Sequence, residues 1–402
     1  MTRKLDLRTG RPVWQAYRAP RIGTRTLDRD TAADVLVIGM GISGAMVAQA
    51  LASDGHGVVA IDRRGPIEGS TAATTALVQY EIDVPLSRLV RKVGRERAVQ
   101  AWRRSRLAVA NLKQRIEELG ISCDLEDRDS VYLAGNLLDE TALRQEGIER
   151  RAAGIGAELL DAATLAQRFG IRRQAALVGH GNLVLDPRKL TAGLLKAAEA
   201  AGARFFSPVE AVAIRSGQDG VRVSTDAGHT ITARHAVLAT GYELGPLTPP
   251  ARHQIISTFA IATRPQPRAL SAERPLIWEA SDPYLYLRST ADGRVICGGE
   301  DEPFRDEARR DALLPVKTKA ISDKLAALLP DLDPEPEYAW CGSFGTTTTG
   351  LPFIGRIPRY PRIHGVMGYG GNGITFSQIA SEVVRSELRG KEDCDAGLFG
   401  FD

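Results

Sequence analysis

Cysteine is scarce in this chain, with four residues in 402, and no two of them stand in a C-x-x-C pair. Cys123, Cys297, Cys341 and Cys394 lie far apart, which argues against a structural zinc site and against a disulfide scaffold. The usage fits a reducing compartment and predicts a cytoplasmic protein. An excess of one charge is also lacking: 52 Lys and Arg against 49 Asp and Glu leave +3. So small a surplus gives no reason to expect nucleic acid or an anionic membrane as a partner. No window approaches the roughly 18 uninterrupted apolar residues of a membrane span. The N-terminal MTRKLDLRTGRPVWQAYRAP has no apolar core of a signal peptide. The six histidines show no ligand spacing, so no metal is expected. There is no internal repeat and no low-complexity tract.

What is present begins at Asp34. The run Asp34–Ile38, DVLVI, suits a strand buried on both faces of a parallel sheet. A glycine-rich turn follows, then small apolar residues over Ser43–Ser53 that suit a helix, closed by Gly55 and Gly57. Val58–Ile61 is a second strand ending at Asp62. Together they make one βαβ unit of about 30 residues. Further on, 97–119 has helical periodicity stopped by Gly120, and a second helix is expected near Leu190–Ala201. Strand patterns follow at 209–214, 221–225, 230–240, 254–264, 284–288 and 294–298, with a hairpin turn at Asp226-Ala227-Gly228. Residues Ile374–Leu388 read as a final helix.

The turn after the first strand is G-x-G-x-x-G: Gly39, Gly41 and Gly44, with Met40, Ile42 and Ser43 between them. Gly39 allows a tight turn, Gly41 leaves room for a pyrophosphate, and Gly44 lets helix and strand approach. The phosphates then meet a helix N-terminus, whose free N–H groups and dipole favour anions. Asp62 lies 18 residues past Gly44, close to the spacing of about 20 for an acid that holds ribose hydroxyls. A carboxylate there repels a 2′-phosphate, which disfavours NADP. The fingerprint by itself does not separate FAD from NAD.

Five separated stretches over about 33–390 make the choice. They are the loop with Asp62; Gly69-Ser70-Thr71 with Thr74 and Thr75; Leu185-Asp186-Pro187; Ala239-Thr240-Gly241; and Gly350-Leu351-Pro352-Phe353-Ile354-Gly355 followed by Gly368 to Ile374. In these the chain resembles the D-amino-acid oxidase family of FAD-dependent oxidoreductases, nearest the glycine oxidase, sarcosine oxidase and gamma-glutamylputrescine oxidase branch. The resemblance implies FAD held by Gly39, Gly41, Ile42, Ser43, Gly44, Asp62, Arg63, Ser70, Thr71, Thr74, Thr75, Val209, Thr240, Gly241, Gly350, Gly370, Gly371, Asn372, Gly373 and Ile374. Val209 matches the position whose backbone meets the adenine. The Gly370–Gly373 segment opens a helix whose N–H groups can stabilise negative charge on a reduced flavin. Non-covalent FAD is expected: no histidine stands beside Gly69-Ser70-Thr71, and Cys341 is two residues out of register with the cysteine some relatives use.

The substrate side matches less well. The arginines with which relatives clamp a small amino acid's carboxylate fall, by register from Pro352, at Phe344 and Gly371 in this chain. This departure argues against glycine or a simple D-amino acid as substrate. Arg288 is a substitute clamp or a surface residue at a strand end. Tyr284, Tyr286, Tyr369, Trp340 and Phe344 are pocket walls or core. Glu300 and Asp301, after Gly298-Gly299, read as a loop turn. The run Thr346 to Thr349 either reaches the pyrimidine edge of the flavin or ends a strand.

The expected fold is α/β: a Rossmann-type FAD-binding domain with a central parallel sheet, plus an α+β substrate domain with a mostly antiparallel sheet. The expected division is an arm at 1–32, an FAD-binding domain at 33–85, 150–245 and 336–390, a substrate domain at 86–149 and 246–335, and a tail at 391–402. The expected activity is oxidation of a C–N bond of an amine or modified amino acid by hydride transfer to flavin N5, with oxygen or another electron acceptor. Rivals are a same-fold dehydrogenase of a CH–OH donor, a tRNA-modifying or biosynthetic flavoenzyme, and a non-catalytic FAD-binding subunit.

Overall fold

The computed structural model describes residues 4–243 and 253–401. The expected boundary at 245/246 lies outside the described residues. Thr31–Ile38 forms the centre of an eight-stranded sheet, parallel to Val58–Ile61 on one side and to Thr230–Leu238 on the other. With partners on both edges and helices on a face, Val35–Ile38 is buried, which is why the run is continuously apolar. Arg204–Phe206 and Tyr360–Met367 extend the parallel region outward. Phe353–Ile357 closes one edge in antiparallel fashion, and Ala211–Ser216 and Val221–Thr225 form a meander with Thr230–Leu238.

The helix Ile42–Ser53 packs between Pro187–Ala200 and Gly373–Leu388. Every residue from Ser43 to Ala52 is buried, so the small side chains of this helix answer crowding on all sides. The long helix Arg95–Glu118 lies against Gly373–Leu388. Arg115 fastens the group from inside: its guanidinium donates to Gln49 Oε1 at 2.7 Å, Gln378 Oε1 at 3.0 Å, Ser381 Oγ at 3.0 Å and the Met46 carbonyl at 2.6 Å. Burial lowers its pKa to about 10, which still leaves it charged at neutral pH.

The second sheet has ten strands and is mostly antiparallel. It runs from Arg8–Gly10 through Pro336–Thr347, His253–Thr263, Val295–Glu302, Leu285–Ser289, Leu276–Glu279, Glu126–Leu133 and Ala175–Val184 to Leu77–Val78, with Glu158–Asp161 also paired to Ala175–Val184. Among the described residues of this sheet only Leu276–Glu279 and Glu126–Leu133 pair in parallel. The helix Glu307–Leu328 covers one face, burying Ile321, Leu325 and Leu328 against Phe259, Ile261, Cys297 and Cys341. The other face looks toward the first sheet.

Three expectations change. Residues 158–184 and 336–347, expected with the dinucleotide-binding unit, pair in the ten-stranded sheet. An apolar strand pattern shows that a segment is a strand, not which sheet it joins. Residues 95–118, expected in the substrate unit, pack on the last helix of the first layer. Glu300 and Asp301 end a strand, with Glu300 at φ 57°. The arm at 1–32 supplies an edge strand, Arg8–Gly10, and begins the central strand at Thr31.

Candidate active site

A long cleft runs between the two sheets, with the glycine loop at its middle. Gly39 has φ 112°, and a Cβ on it would overlap the Ala239 carbonyl oxygen. A Cβ on Gly44 would overlap the Gly39 carbonyl oxygen. These two glycines therefore permit the close approach of loop, helix and neighbouring strand. Gly41 has ordinary extended backbone, and its missing Cβ faces the cleft with only Thr71 Oγ1 nearby, at 3.1 Å. Gly41, the N-cap of the helix that starts at Ile42, has no side chain with which to cap it. Thr71 Oγ1 accepts the Ile42 N–H at 2.9 Å and fixes the loop, while Ser70 Oγ, buried beside it, has no partner among the described residues. Two tryptophans pin this hydroxyl-rich segment: Trp14 Nε1 donates to the Thr74 carbonyl at 2.6 Å and Trp340 Nε1 to the Ala73 carbonyl at 2.8 Å.

At one end of the cleft Asp62 holds the loop together. Its Oδ2 accepts from Met40 N at 2.8 Å, and Oδ1 accepts from Arg64 N at 2.8 Å and Gly65 N at 3.0 Å. Val209 N donates to the Asp62 carbonyl at 2.9 Å, bringing that strand entry to the same end. Arg63 pairs with Glu210 and Glu243, and Arg64 grips Glu243 with two hydrogen bonds of 2.6 Å. Burial works against the Glu243 carboxylate, but these guanidiniums win and hold its pKa below the usual range. Leu5 N donates to Glu243 Oε1 at 2.7 Å, and Leu7 lines the cleft.

At the other end the last helix begins. Gly370 has φ 58°. Asn372 turns its side chain away from its own helix and donates to the Gln79 and Glu81 carbonyls at 3.2 and 2.8 Å. Ser377, one turn into this helix, meets Ser43 of the loop helix, Oγ to Oγ, at 2.8 Å, so the two helix N-termini converge. Asp83 Oδ2 accepts the Gly371 N–H at 2.7 Å. Beyond lies a chamber walled by Tyr242, Trp278, Tyr284, Tyr286, Phe344 and Tyr369. Tyr286 fits because its strand partner is Gly298, where a Cβ would overlap the Tyr286 hydroxyl. Burial raises the pKa of the Tyr242, Tyr284, Tyr286 and Tyr369 hydroxyls, so they stay protonated at neutral pH.

Of the positions named from sequence, Gly39, Gly41, Ile42, Ser43, Asp62, Arg63, Ser70, Thr71, Thr74, Thr75, Val209, Thr240, Gly241 and Gly370 to Ile374 line this cleft, as do Tyr286, Tyr369 and Phe344. Gly44 sits behind the loop. Gly350 also lies off the cleft; it has φ 81°, and its missing Cβ would strike Val84. Arg288 is no clamp. It is buried over the Trp14 ring and donates to the Ala76 and Leu185 carbonyls at 2.8 and 3.0 Å. In the threonine run, Thr347 Oγ1 bonds Leu351 O and Gly350 N, and Thr349 Oγ1 accepts from Leu351 N. These hydroxyls close a turn and do not enter the cleft. Cys341 faces the opposite side of its strand, with Sγ 3.5 Å from Asp311 Oδ1. Sequence reasoning missed Arg64, Gln79, Asp83, Tyr242, Glu243, Thr258 and Trp278, none of which sits in a spacing that announces it.

The family model described as FAD dependent oxidoreductase (DAO) matches residues 34–386. The chain belongs to this family. The FAD-dependent oxidoreductase is 23% identical over 382 residues to the probable oxidoreductase OrdL of Haemophilus influenzae, covering 90% of this chain and 84% of that one. It is 24% identical over 380 residues to the gamma-glutamylputrescine oxidoreductase of Escherichia coli, with 91% and 85% covered. Its fold matches the crystal structure of glycine oxidase from Geobacillus kaustophilus with a TM-score of 0.77 at 21% identity, covering 92% of this chain and 99% of that one. The oxidoreductase's cleft fits FAD on its own terms. It has a helix start whose N-cap is a glycine, a missing Cβ there that opens on the cleft, and at the same place a buried Ser70 hydroxyl without a partner among the described residues. No helix among the described residues is long and apolar enough to cross a membrane.

Proposed function

We propose that this enzyme oxidises a C–N bond of an amine or modified amino acid, with the FAD pyrophosphate on the Gly39–Gly44 loop and the isoalloxazine ring at the Gly370–Gly373 end. Bound FAD supplies a two-electron acceptor at N5. The chain's own residues do the rest. The two converging helix N-termini favour negative charge at the phosphates and at the pyrimidine edge of the ring. The aromatic chamber orients the donor and keeps water from the reacting carbon. Hydride leaves the carbon as the nitrogen lone pair forms an iminium bond, so the nitrogen must arrive neutral and no strong protein base is required.

One observation carries this reading: the converging helix starts open directly onto an aromatic chamber. The Cys341 geometry supports non-covalent FAD, and the three buried thiols suit a reducing cytoplasm. Anaerobic titration of the purified enzyme tests the proposal. Members of an amine panel should bleach the flavin and hydroxy acids should not. Bleaching by hydroxy acids alone would transfer the enzyme to CH–OH donors.

A further inference from the structure

The chamber at the ring end carries charge of one sign. Asp83 is exposed to the cleft, and its carboxylate lines the chamber. Oδ2 takes the Gly371 N–H, and Oδ1 has no hydrogen-bond partner among the described residues. Asp301 lies behind Tyr284, whose hydroxyl donates to its Oδ2 at 2.5 Å. Its Oδ1 is buried without a hydrogen bond of ordinary geometry. Burial raises the Asp301 carboxyl to about 6, and the negative charge of Asp83 adds to that rise. Among the described residues no Lys or Arg lines this end. Arg63 and Arg64 sit at the other end, already paired with Glu210 and Glu243. A substrate that fills the chamber strips water from the Asp83 carboxylate, and the group that offsets that loss is a cation. The walls suit one as well: Tyr284 and Tyr286 lie with ring centroids 5.7 Å apart and Trp278 completes the surface, a set of π-faces that attract ammonium groups.

The chemistry then requires two nitrogens. An amine gives up hydride from its neighbouring carbon only when its own lone pair is free. A carboxylate in contact with a nitrogen favours the charged form of that nitrogen. The nitrogen on Asp83 is therefore not the one that reacts. Building on the C–N reading, we propose that the substrate is a diamine or polyamine: one nitrogen is held as ammonium by Asp83 and the aromatic walls, and a second, neutral nitrogen lies on the carbon that is oxidised. That carbon loses a hydride to the flavin, the C–N single bond becomes an iminium, and water hydrolyses it after release.

Two measurements on the wild-type holoenzyme and one on a variant test this. Under anaerobic conditions putrescine, n-butylamine and gamma-aminobutyrate share a four-carbon chain. Putrescine should reduce the flavin with an apparent Kd at least about tenfold below that of n-butylamine, and gamma-aminobutyrate should be weakest. Equal affinities, or preference for the amino acid, would overturn the diamine assignment while leaving C–N oxidation standing. A turnover-free titration uses butyltrimethylammonium and butyrate, read as perturbation of the flavin spectrum. The cation should saturate and butyrate should not; tighter butyrate binding would overturn the proposal whatever the reaction. Asp83→Asn keeps an oxygen for the Gly371 N–H. It should raise the cation's Kd at least about tenfold in flavin-loaded protein, and an unchanged Kd would also refute the assignment.

Discussion

At the scale of single residues, the glycine loop and Asp83 differ in how openly they are written. Gly39, Gly41 and Gly44 were legible because their constraint is local: strand, turn and helix lie within a few residues of one another. Asp62 was legible for the same reason, although the structure adds a duty, since its two oxygens take three backbone N–H groups. Asp83 was invisible because its meaning depends on Gly371, 288 residues away. Arg288 misled in the opposite sense: a strand-end arginine proved to be buried against carbonyls. Asp301 offers a test at this scale. Burial lifts its carboxyl to about 6 in the fold, above the usual range of a free carboxyl. The group therefore favours folding most in its protonated form, below its unfolded pKa, and that contribution is lost as the pH rises through about 6. Asp301→Asn should raise Tm relative to wild type by more at pH about 7.5 than at pH about 5. A pH-independent difference would remove the buried carboxylate from the account.

At the scale of elements, periodic and uninterrupted segments were read well. Val58–Ile61 and Val221–Thr225 fall at the expected limits, and the last helix starts one residue early at Gly373. The helix Glu307–Leu328 went unmarked. Pro315 sits inside it, where proline ordinarily ends a helix, and Asp306 caps it by accepting the Arg309 N–H at 2.8 Å. Tertiary packing of Ile321, Leu325 and Leu328 overrides the local signal. Two elements also meet at a buried ion pair. Glu146 accepts from Leu86 N at 2.9 Å, Ser87 N at 2.8 Å and Arg150 Nε at 2.8 Å, joining the helices Leu86–Val93 and Glu140–Ala152. Glu146→Ala leaves Arg150 buried without its counter-ion and should cost about 3–5 kcal/mol in denaturant unfolding. A loss below about 1 kcal/mol would mean that water reaches the guanidinium. The arm is a third case. Arg8–Gly10 pairs with Gly342 to Trp340, and Leu5 meets Arg64 and Glu243. Removing residues 1–11 should leave the fold intact by circular dichroism but speed FAD loss on dialysis, and unchanged retention would reduce the arm to an ornament of the sheet edge.

At the scale of the whole molecule, the two sheets form one cleft because their strands interleave in sequence. Leu77–Val78 and Pro336–Thr347 belong to the ten-stranded sheet yet lead directly into cofactor-side segments. Alternation of residues shows each strand but carries no label for its sheet, so the class of fold was legible and the division of 150–184 and 336–347 was not. The account rests on FAD occupying this cleft over the glycine loop. The most direct test is flavin content in purified wild-type and Gly41→Val protein. Gly41 has a backbone conformation that valine adopts readily, and its added side chain would point into the cleft toward Thr71 Oγ1. Wild type should carry close to one FAD per chain, and the folded variant should retain less than about a tenth of that, a loss of at least ~1.4 kcal/mol in binding. A folded Gly41→Val protein with full flavin content would contradict the account.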